Sequence, residues 1–347
     1  MQFIDCFRPT PITEALSDSC WGAETVGPRD QGNGLEDRAM SSWCYWDGAI
    51  IKDPSSGEYY LFASRWAQAG GHWGNEHGPG WRGSQAVSSV SDSLFGPYRD
   101  LGPLWPDWCG GAGHGVFPFP VSESDPLHCE GWRYAVCISD VINEAKNANG
   151  TLHTAKTLQG PWTLLENGLK GRLRCDDSFR LSNVSVALRP GGGYIALNRH
   201  GDIVTADLLA GYWSTLVHEL WKTIPALAER FGYLEDGVIW YLDGRYHIVV
   251  NDWEARQAYY LTSENAVNWV LHEGLAYTPK SDFIRYEGGK VNRWTKIERP
   301  NVYIEDGSVK AMTFAVIDVQ KEAHLGNDGH GSKIIVVPFD GTKLKAQ

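Results

Sequence analysis

Asp47-Gly48-Ala49-Ile50-Ile51-Lys52-Asp53-Pro54-Ser55-Ser56-Gly57-Glu58-Tyr59-Tyr60-Leu61-Phe62 runs from a polar residue through a short apolar run and a tight turn into an aromatic strand. The same order recurs at His114-Gly115-Val116-Phe117-Pro118-Phe119 and at Asn183-Val184-Ser185-Val186-Ala187-Leu188 before Gly193-Tyr194. It returns at Asp236-Gly237-Val238-Ile239-Trp240 before Gly244, and at Arg299-Pro300-Asn301-Val302-Tyr303 before Gly307. The five openings, counted from 47, 114, 183, 236 and 299, lie 67, 69, 53 and 63 residues apart. A strand–turn–strand unit at such spacing marks a radial β architecture in which each unit buries its faces on its neighbours. The fold expected is all-β, a five-bladed β-propeller forming a single domain over residues 1–347. The opening residues then crowd one end of the central axis.

The rest of each unit agrees. Second strands follow at Tyr59, Trp132, Tyr194, Tyr246 and Val309, with glycines in the turns where a hairpin needs positive φ. Outer-edge signals recur at Phe95-Gly96-Pro97-Tyr98, Gln159-Gly160-Pro161-Trp162, Ala210-Gly211-Tyr212-Trp213 and Ala266-Val267-Asn268-Trp269. Blades are expected near 45–105, 112–168, 180–220, 234–275 and 298–340. The fifth lacks an outer motif, so residues 1–40 are expected to close the ring as its missing outer strand, because an open edge invites pairing. Helical periodicity is confined to Thr223–Phe231. Long insertions lie at Ala67–Gly83, Asp100–Gly113, Asn143–Gly150 and Thr278–Ile297, and loops of that length tend to carry function.

Composition narrows the partners. Net charge is −11 with no basic run, which disfavours nucleic acid and anionic membranes. The seven cysteines are scattered, without a C-x-x-C pair, so neither a zinc site nor a disulfide framework is indicated. No cofactor or metal is expected; Gly326-Asn327-Asp328-Gly329 is a tight turn rather than a calcium loop. The N-terminus lacks a signal-peptide pattern, and the chain reads as cytoplasmic. Sixteen tryptophans suit inter-blade packing, and they equally suit stacking on sugar rings, so an oligosaccharide is the expected partner.

Trp46-Asp47-Gly48-Ala49-Ile50-Ile51-Lys52-Asp53-Pro54 with Glu58-Tyr59-Tyr60-Leu61-Phe62-Ala63-Ser64-Arg65 resembles the first blade of five-bladed glycoside hydrolases of families 43 and 117. The blade pattern covers most of the chain and the close motif similarity about a quarter of it. The resemblance implies an inverting glycosidase whose general base is the Asp heading the first inner strand, here Asp47. In family 43 the fourth blade carries the acid in a Glu-Gly-Pro motif. Here Leu234-Glu235-Asp236-Gly237 offers Asp236 by repeat register or Glu235 by residue type, and Asp236 is favoured because it aligns with Asp47. Family 117 offers precedent for a His acid, which makes His114 the third candidate. The third acid that family 43 carries on blade 3 is replaced by Asn183.

Substrate-binding candidates follow from position. Arg65, Trp66, Arg199, His200, Asp252 and Trp253 end second strands, Glu298 and Arg299 open blade 5, and Asn183 opens blade 3. His77 lies with His72 in a Gly-rich loop suited to a lid. Arginines at such places clamp carboxylates, which hints at an acidic sugar. The reading is an exo-acting, inverting glycosidase on a plant or algal oligosaccharide. The alternatives are a propeller lyase acting at a uronic acid, with His114 as base, and a non-catalytic carbohydrate-binding propeller.

Overall fold

The computed structural model describes residues 2–20, 26–139, 150–176, 179 and 181–346. It carries five antiparallel blades, each running outward from an inner strand. Blade 1 comprises Trp43–Lys52, Tyr59–Ala67, Gln85–Ser91 and Arg99–Pro103. Blade 2 comprises Phe117–Pro120, Tyr134–Ile138, Thr151–Ala155 and Thr163–Leu164. Blade 3 comprises Ser185–Leu188, Tyr194–Leu197, Ile203–Ala206 and Tyr212–Val217, with Arg174–Cys175 added in parallel outside. Blade 4 comprises Leu234–Leu242, Arg245–Asp252, Gln257–Ser263 and Val270–Leu271. The fold is the expected five-bladed β-propeller. Most of the Asn143–Gly150 insertion lies outside the described residues. Among those described, no helix is long and apolar enough to cross a membrane.

The core is divided between the blades, as a radial repeat requires. Phe62, Val136 and Trp162 pack between blades 1 and 2, and Phe119, Tyr194 and Trp213 between 2 and 3. Leu197, Trp221 and Ile248 fill the gap from 3 to 4, and Trp240, Tyr260 and Phe314 that from 4 to 5. Ile50, Tyr303 and Ile334 join blade 5 to blade 1, which closes the ring. The expected helical stretch is two short turns, Leu220–Thr223 and Pro225–Ala228, because the ring of Pro225 interrupts any continuous helix.

Among the described residues blade 5 comprises Lys296–Glu305, Ser308–Ile317 and Ser332–Pro338, and its edge is covered differently from the expected outer strand. Among the described residues the N-terminal segment meets the third strand at two places, through the Leu35–Ile334 bridge and through Arg8 N donating to Pro338 O (2.9 Å) beside the Phe7–Phe339 bridge. The Asn33 amide imitates a second rung, donating to Val336 O (3.0 Å) and accepting from Val336 N (3.1 Å). Gly34 has φ +71°, and a Cβ there would sit 2.0 Å from Ile334 O, so backbone approach this close excludes a regular strand residue. Arg29, Glu36 and Lys333 fix the segment as a buried ion triad, with Lys333 Nζ 2.5 Å from Glu36 and Arg29 Nη2 3.1 Å from it.

Candidate active site

Each inner strand carries a left-handed residue at the axis, within the strand at Asp47 (φ 67°), Asp236 (57°) and Arg299 (53°) and two residues before it at Gly115 (64°) and Asn183 (49°). In blades 1, 4 and 5 the strand register slips at this point, as at a β-bulge. The true opening of blade 2 is therefore Gly115, one residue after His114. Non-glycine residues in this conformation cost roughly 1–3 kcal/mol each, so four of them at one axis must be held by their surroundings.

They hold one another. Asp47, Asn183, Asp236 and Arg299 line an axial chamber of about 40 Å³ together with a short segment from every blade. Asp47 accepts from Ser64 Oγ and from Val116 N of the next blade (3.1 Å). Asn183 Nδ2 donates to Asp236 Oδ1 (2.7 Å), and Asp236 Oδ2 accepts from Arg299 N (3.3 Å). Arg299 Nε stands 3.4 Å from Asp47 and 3.2 Å from Asp236. A guanidinium thus occupies the place where an Asp47–Asp236 pair would need its water.

The shared Arg299 leaves its two acids unlike. Burial alone raises the Asp47 carboxyl, but Arg299, His114, Ser64 and the Val116 amide hold it below its ordinary range. Burial and the neighbouring Glu298 charge keep Asp236 above its range in spite of Arg299. Burial opposes charge on Arg299, but Asp236, Asp47, Glu235 and Glu298 outweigh it and keep the guanidinium ionised.

The residues one position earlier face a different compartment. Trp46, His114, Glu235 and Glu298 line a cleft of about 320 Å³, which His72, Trp73 and Trp81 wall on one side. Arg199, Trp253, Lys296, Lys321 and Glu322 complete it, and Asn183 and Arg299 form part of its floor. This is the inside–outside alternation of a strand read across a bulge. The long loop predicted as a lid does reach the cleft, through His72, Trp73 and Trp81.

One carboxylate oxygen from each of Glu235, Asp236 and Glu298 falls within 4.8 Å of the others. Like charges so close cannot all ionise freely, and their surroundings separate them. Burial, then Asp236 and Glu298, push the Glu235 carboxyl up to about 7. Arg199 lies 2.7 Å from Glu235 and opposes this, but its side chain is 41% exposed and solvent screens its charge. Burial also acts against an ionised Glu298, yet Lys321 at 2.5 Å and Lys296 at 3.6 Å bring it below its ordinary range. Arg199, Lys321 and Lys296 bring protein cations to this cluster.

His114 is neutral at ordinary pH, because burial and Arg299 outweigh Asp47 and bring it down to about 4. Arg299 Nη2, a donor only, lies 3.4 Å from Nε2, which assigns the proton to Nδ1, 3.0 Å from Ser84 Oγ. Ser84 Oγ in turn donates to Trp81 O (2.5 Å). Nε2 therefore presents a lone pair and has no proton to give a leaving group.

Of the residues expected from sequence, the cleft gathers His114, Asn183, Arg199, Trp253, Glu298 and Arg299, along with Glu235. Asp47 and Asp236 lie beneath it in the axial chamber. Arg65 is turned away, stacked on Trp43 at 4.1 Å and paired with Asp100 at 2.6 Å. Asp252 is fully buried in a bidentate pair with Arg230 (2.7 and 2.8 Å). Trp66 is buried behind the wall, its indole donating to Gly71 O (3.0 Å) while its ring contacts Trp46 and His72. His77 is exposed beside Glu76, and His200 is exposed with its N–H on Asn198; neither lines the cleft. Strand ends alone do not say on which side of a twisted blade a side chain emerges.

Trp46, Trp73, Trp81, Lys296, Lys321 and Glu322 were not anticipated as site residues. Taking the residue before each opening would have found Trp46, and no local signal marks the two lysines. Four cleft residues carry a buried polar atom without a hydrogen-bond partner: His72 Nδ1, Trp81 Nε1, Trp253 Nε1 and Glu298 Oε1. Buried polar groups are normally paired, so such a concentration suits a ligand rich in hydroxyls.

No protein-family profile matches the chain, and no curated protein matches it. Solved structures do. The catalytic domain of a family 62 α-L-arabinofuranosidase from Coprinopsis cinerea superposes with TM-score 0.57 at 12% identity, covering 95% of this chain and 98% of the other. A family 117 glycoside hydrolase from the marine bacterium Zobellia galactanivorans gives 0.56 at 9%, covering 89% and 88%. A family 43 endo-arabinanase from Bacillus licheniformis gives 0.50 at 14%, covering 88% and 96%. At these identities the likeness is one of fold, and it is the five-bladed fold that the repeat predicts.

Proposed function

We propose that this protein is a glycoside hydrolase that removes a terminal sugar from an oligosaccharide, with Glu235 as the general acid. The observation that carries the reading is the pair of cleft carboxyls driven apart, Glu235 up to about 7 and Glu298 below its ordinary range. Glycosidic cleavage needs one carboxylic acid to protonate the leaving oxygen and one carboxylate on the reacting carbon's side. Two carboxyls with opposed environments supply both at one pH. The tryptophans and the unpaired His72, Trp81 and Trp253 nitrogens suit a sugar's apolar face and hydroxyl rim.

Exo-action is supported by size, since about 320 Å³ lies at the lower end of ligand pockets and accepts little more than one sugar unit. Arg199, Lys296 and Lys321 on the walls favour a sugar bearing a carboxylate, of the kind found in plant and algal polysaccharides. Fold likeness to glycoside hydrolases adds to the reading as analogy.

One observation favours a second reading. Neutral His114, with its Nε2 lone pair beside Arg299, resembles the base and carboxylate neutraliser of a uronate lyase. A screen of plant and algal oligosaccharides, read for reducing sugar and for the absorbance of an unsaturated product, separates the two. Reducing ends without new absorbance support the hydrolase, absorbance supports the lyase, and neither result leaves a binding propeller.

A further inference from the structure

We infer that a second sugar subsite lies against the cleft, where Arg82 selects oligosaccharides whose second unit bears a carboxylate. The inference rests on the glycosidase reading above and moves the acidic group from the terminal unit to the one beside it. The pairing of cations carries it. Each arginine and lysine of the cleft attracts an acidic sugar, yet each already meets a protein carboxylate. Arg199 pairs with Glu235 (2.7 Å), Lys321 and Lys296 with Glu298 (2.5 and 3.6 Å), and Arg299 with Asp47 and Asp236 (3.4 and 3.2 Å). A carboxylate on the terminal sugar would compete with those acids.

Arg82 differs. It is exposed and has no carboxylate partner among the described residues, yet it is held in place. Its Nη1 donates to Trp73 O (2.9 Å), and the guanidinium lies 5.1 Å from the Trp81 ring and 5.9 Å from that of Trp73. Among the described residues nothing engages the Nε–Nη2 edge. A guanidinium grips a carboxylate with two parallel bonds from such an edge, and a guanidinium already oriented loses little freedom in doing so.

Arg82 lines a depression of about 330 Å³, close to the volume of the cleft and suited to one sugar unit. The turn Gly80–Gly83 and Ser84 divide the two: Trp81 lines the cleft, whereas Arg82, Gly83 and Ser84 line the depression. Ser84 Oγ reaches His114 Nδ1 of the cleft (3.0 Å), so a single side chain separates the compartments. Both long blade 1 insertions contribute, Ala67–Gly83 through Arg82 and Asp100–Gly113 through Gly110. The second insertion is seated firmly. Trp105 stacks on His153 at 3.6 Å and donates to Ala112 O (3.1 Å), while Gln85 Nε2 donates to Gly110 O (3.0 Å). Trp43 completes the depression, its ring fixed by the Arg65 guanidinium at 4.1 Å. An indole and an oriented cation together match the apolar ring face and the carboxylate of a uronate.

The test uses the full chain and oligosaccharides with a neutral terminal sugar on a uronate, prepared from rhamnogalacturonan and arabinogalactan. Each is paired with a counterpart whose carboxyls have been reduced to alcohols. Titration calorimetry should show the acidic form bound about tenfold more tightly than the reduced one. The ratio should shrink as salt is added, because Arg82 is exposed. Arg82→Met should bring the ratio near one, and Arg82→Lys should leave an intermediate value, since an ammonium keeps the charge and loses the fork. Equal weakening of both forms in Arg82→Met would mean that Arg82 acts by packing on Trp81, and it overturns the inference. So does the absence of binding, or of any preference for the acidic form, in the unaltered protein. Sugar release from the same pairs tests the glycosidase reading separately. An Arg82-dependent preference in binding without release keeps the subsite and removes the hydrolase, whereas release without that preference keeps the hydrolase and removes the subsite.

Discussion

The axial chamber and the cleft above it are built from adjacent residues of the same strands, yet they are opposite in character. In the chamber Asp47, Asn183, Asp236 and Arg299 satisfy one another across blade boundaries, and none of their side-chain atoms is left buried and unpaired. In the cleft, Glu298 Oε1, with Lys296 at 3.6 Å, and His72 Nδ1 and the Trp81 and Trp253 indole nitrogens lack hydrogen-bond partners. The lesson is that acids meeting on a propeller axis are no guide to chemistry until their hydrogen bonds are counted. The chamber carboxylates are saturated by neighbouring blades, whereas Glu298 beside the cleft keeps one oxygen without a hydrogen-bond partner.

That contrast breaks most readily at the acids. Glu235→Gln should lower kcat by about 10²–10⁴ with little change in Tm, whereas Glu298→Gln should lower both kcat and Tm, since it leaves Lys321 and Lys296 without their carboxylate. Asp47→Asn should lower Tm, with kcat per folded enzyme falling far less. Steady-state kinetics beside calorimetry reads both, and the reverse pattern would return the chemistry to the chamber.

The chamber itself is tested by Arg299→Met, which leaves Asp47 and Asp236 buried without their shared cation. A loss of about 3–5 kcal/mol is expected near neutrality. The loss should shrink as pH falls through the carboxylate range, since protonation relieves unpaired acids. Urea unfolding at two pH values measures it, and a pH-independent loss would mean that Arg299 acts through packing.

The cleft has its own pH signature. With Glu235 as the proposed acid, kcat/KM should fall as pH rises through about 7. If the reaction needs Glu298 ionised, the acid limb should lie below that of a free glutamate, because its lysines hold it below its ordinary range. Glu235→Gln should lose the alkaline limb on an activated aryl glycoside. A limb that disappears only in His114→Ala would transfer the acid role to His114.

Smaller effects sharpen the boundary. Trp253→Ala should raise KM by about two- to tenfold, from roughly 0.5–1.5 kcal/mol of lost stacking, with kcat nearly kept. Asn33→Ala, remote from both regions, should cost about 1–3 kcal/mol by orphaning the edge at Val336 and should leave kcat and KM unchanged. A change in KM there would tie ring closure to the cleft.

Much was legible in the chain. Period-2 strands, glycine turns and the recurring openings are local patterns, because a blade is made by its own sequence neighbours, and they determined five blades and the convergence of Asp47, Asn183, Asp236 and Arg299 on one axis. Which acids face a substrate was not legible. A bulge turns adjacent residues to opposite compartments, so the choice between Glu235 and Asp236, or between His114 and Gly115, depends on a φ angle that the sequence does not display. The lysines on Glu298 come from separate parts of blade 5, Lys296 at the start of its inner strand and Lys321 in the turn Lys321–Ala323. Their effect on its charge exists only once the chain has folded. Local periodicity specified the architecture, whereas saturation of hydrogen bonds and the pairing of buried charges, both properties of contacts distant in sequence, decided where its chemistry can occur.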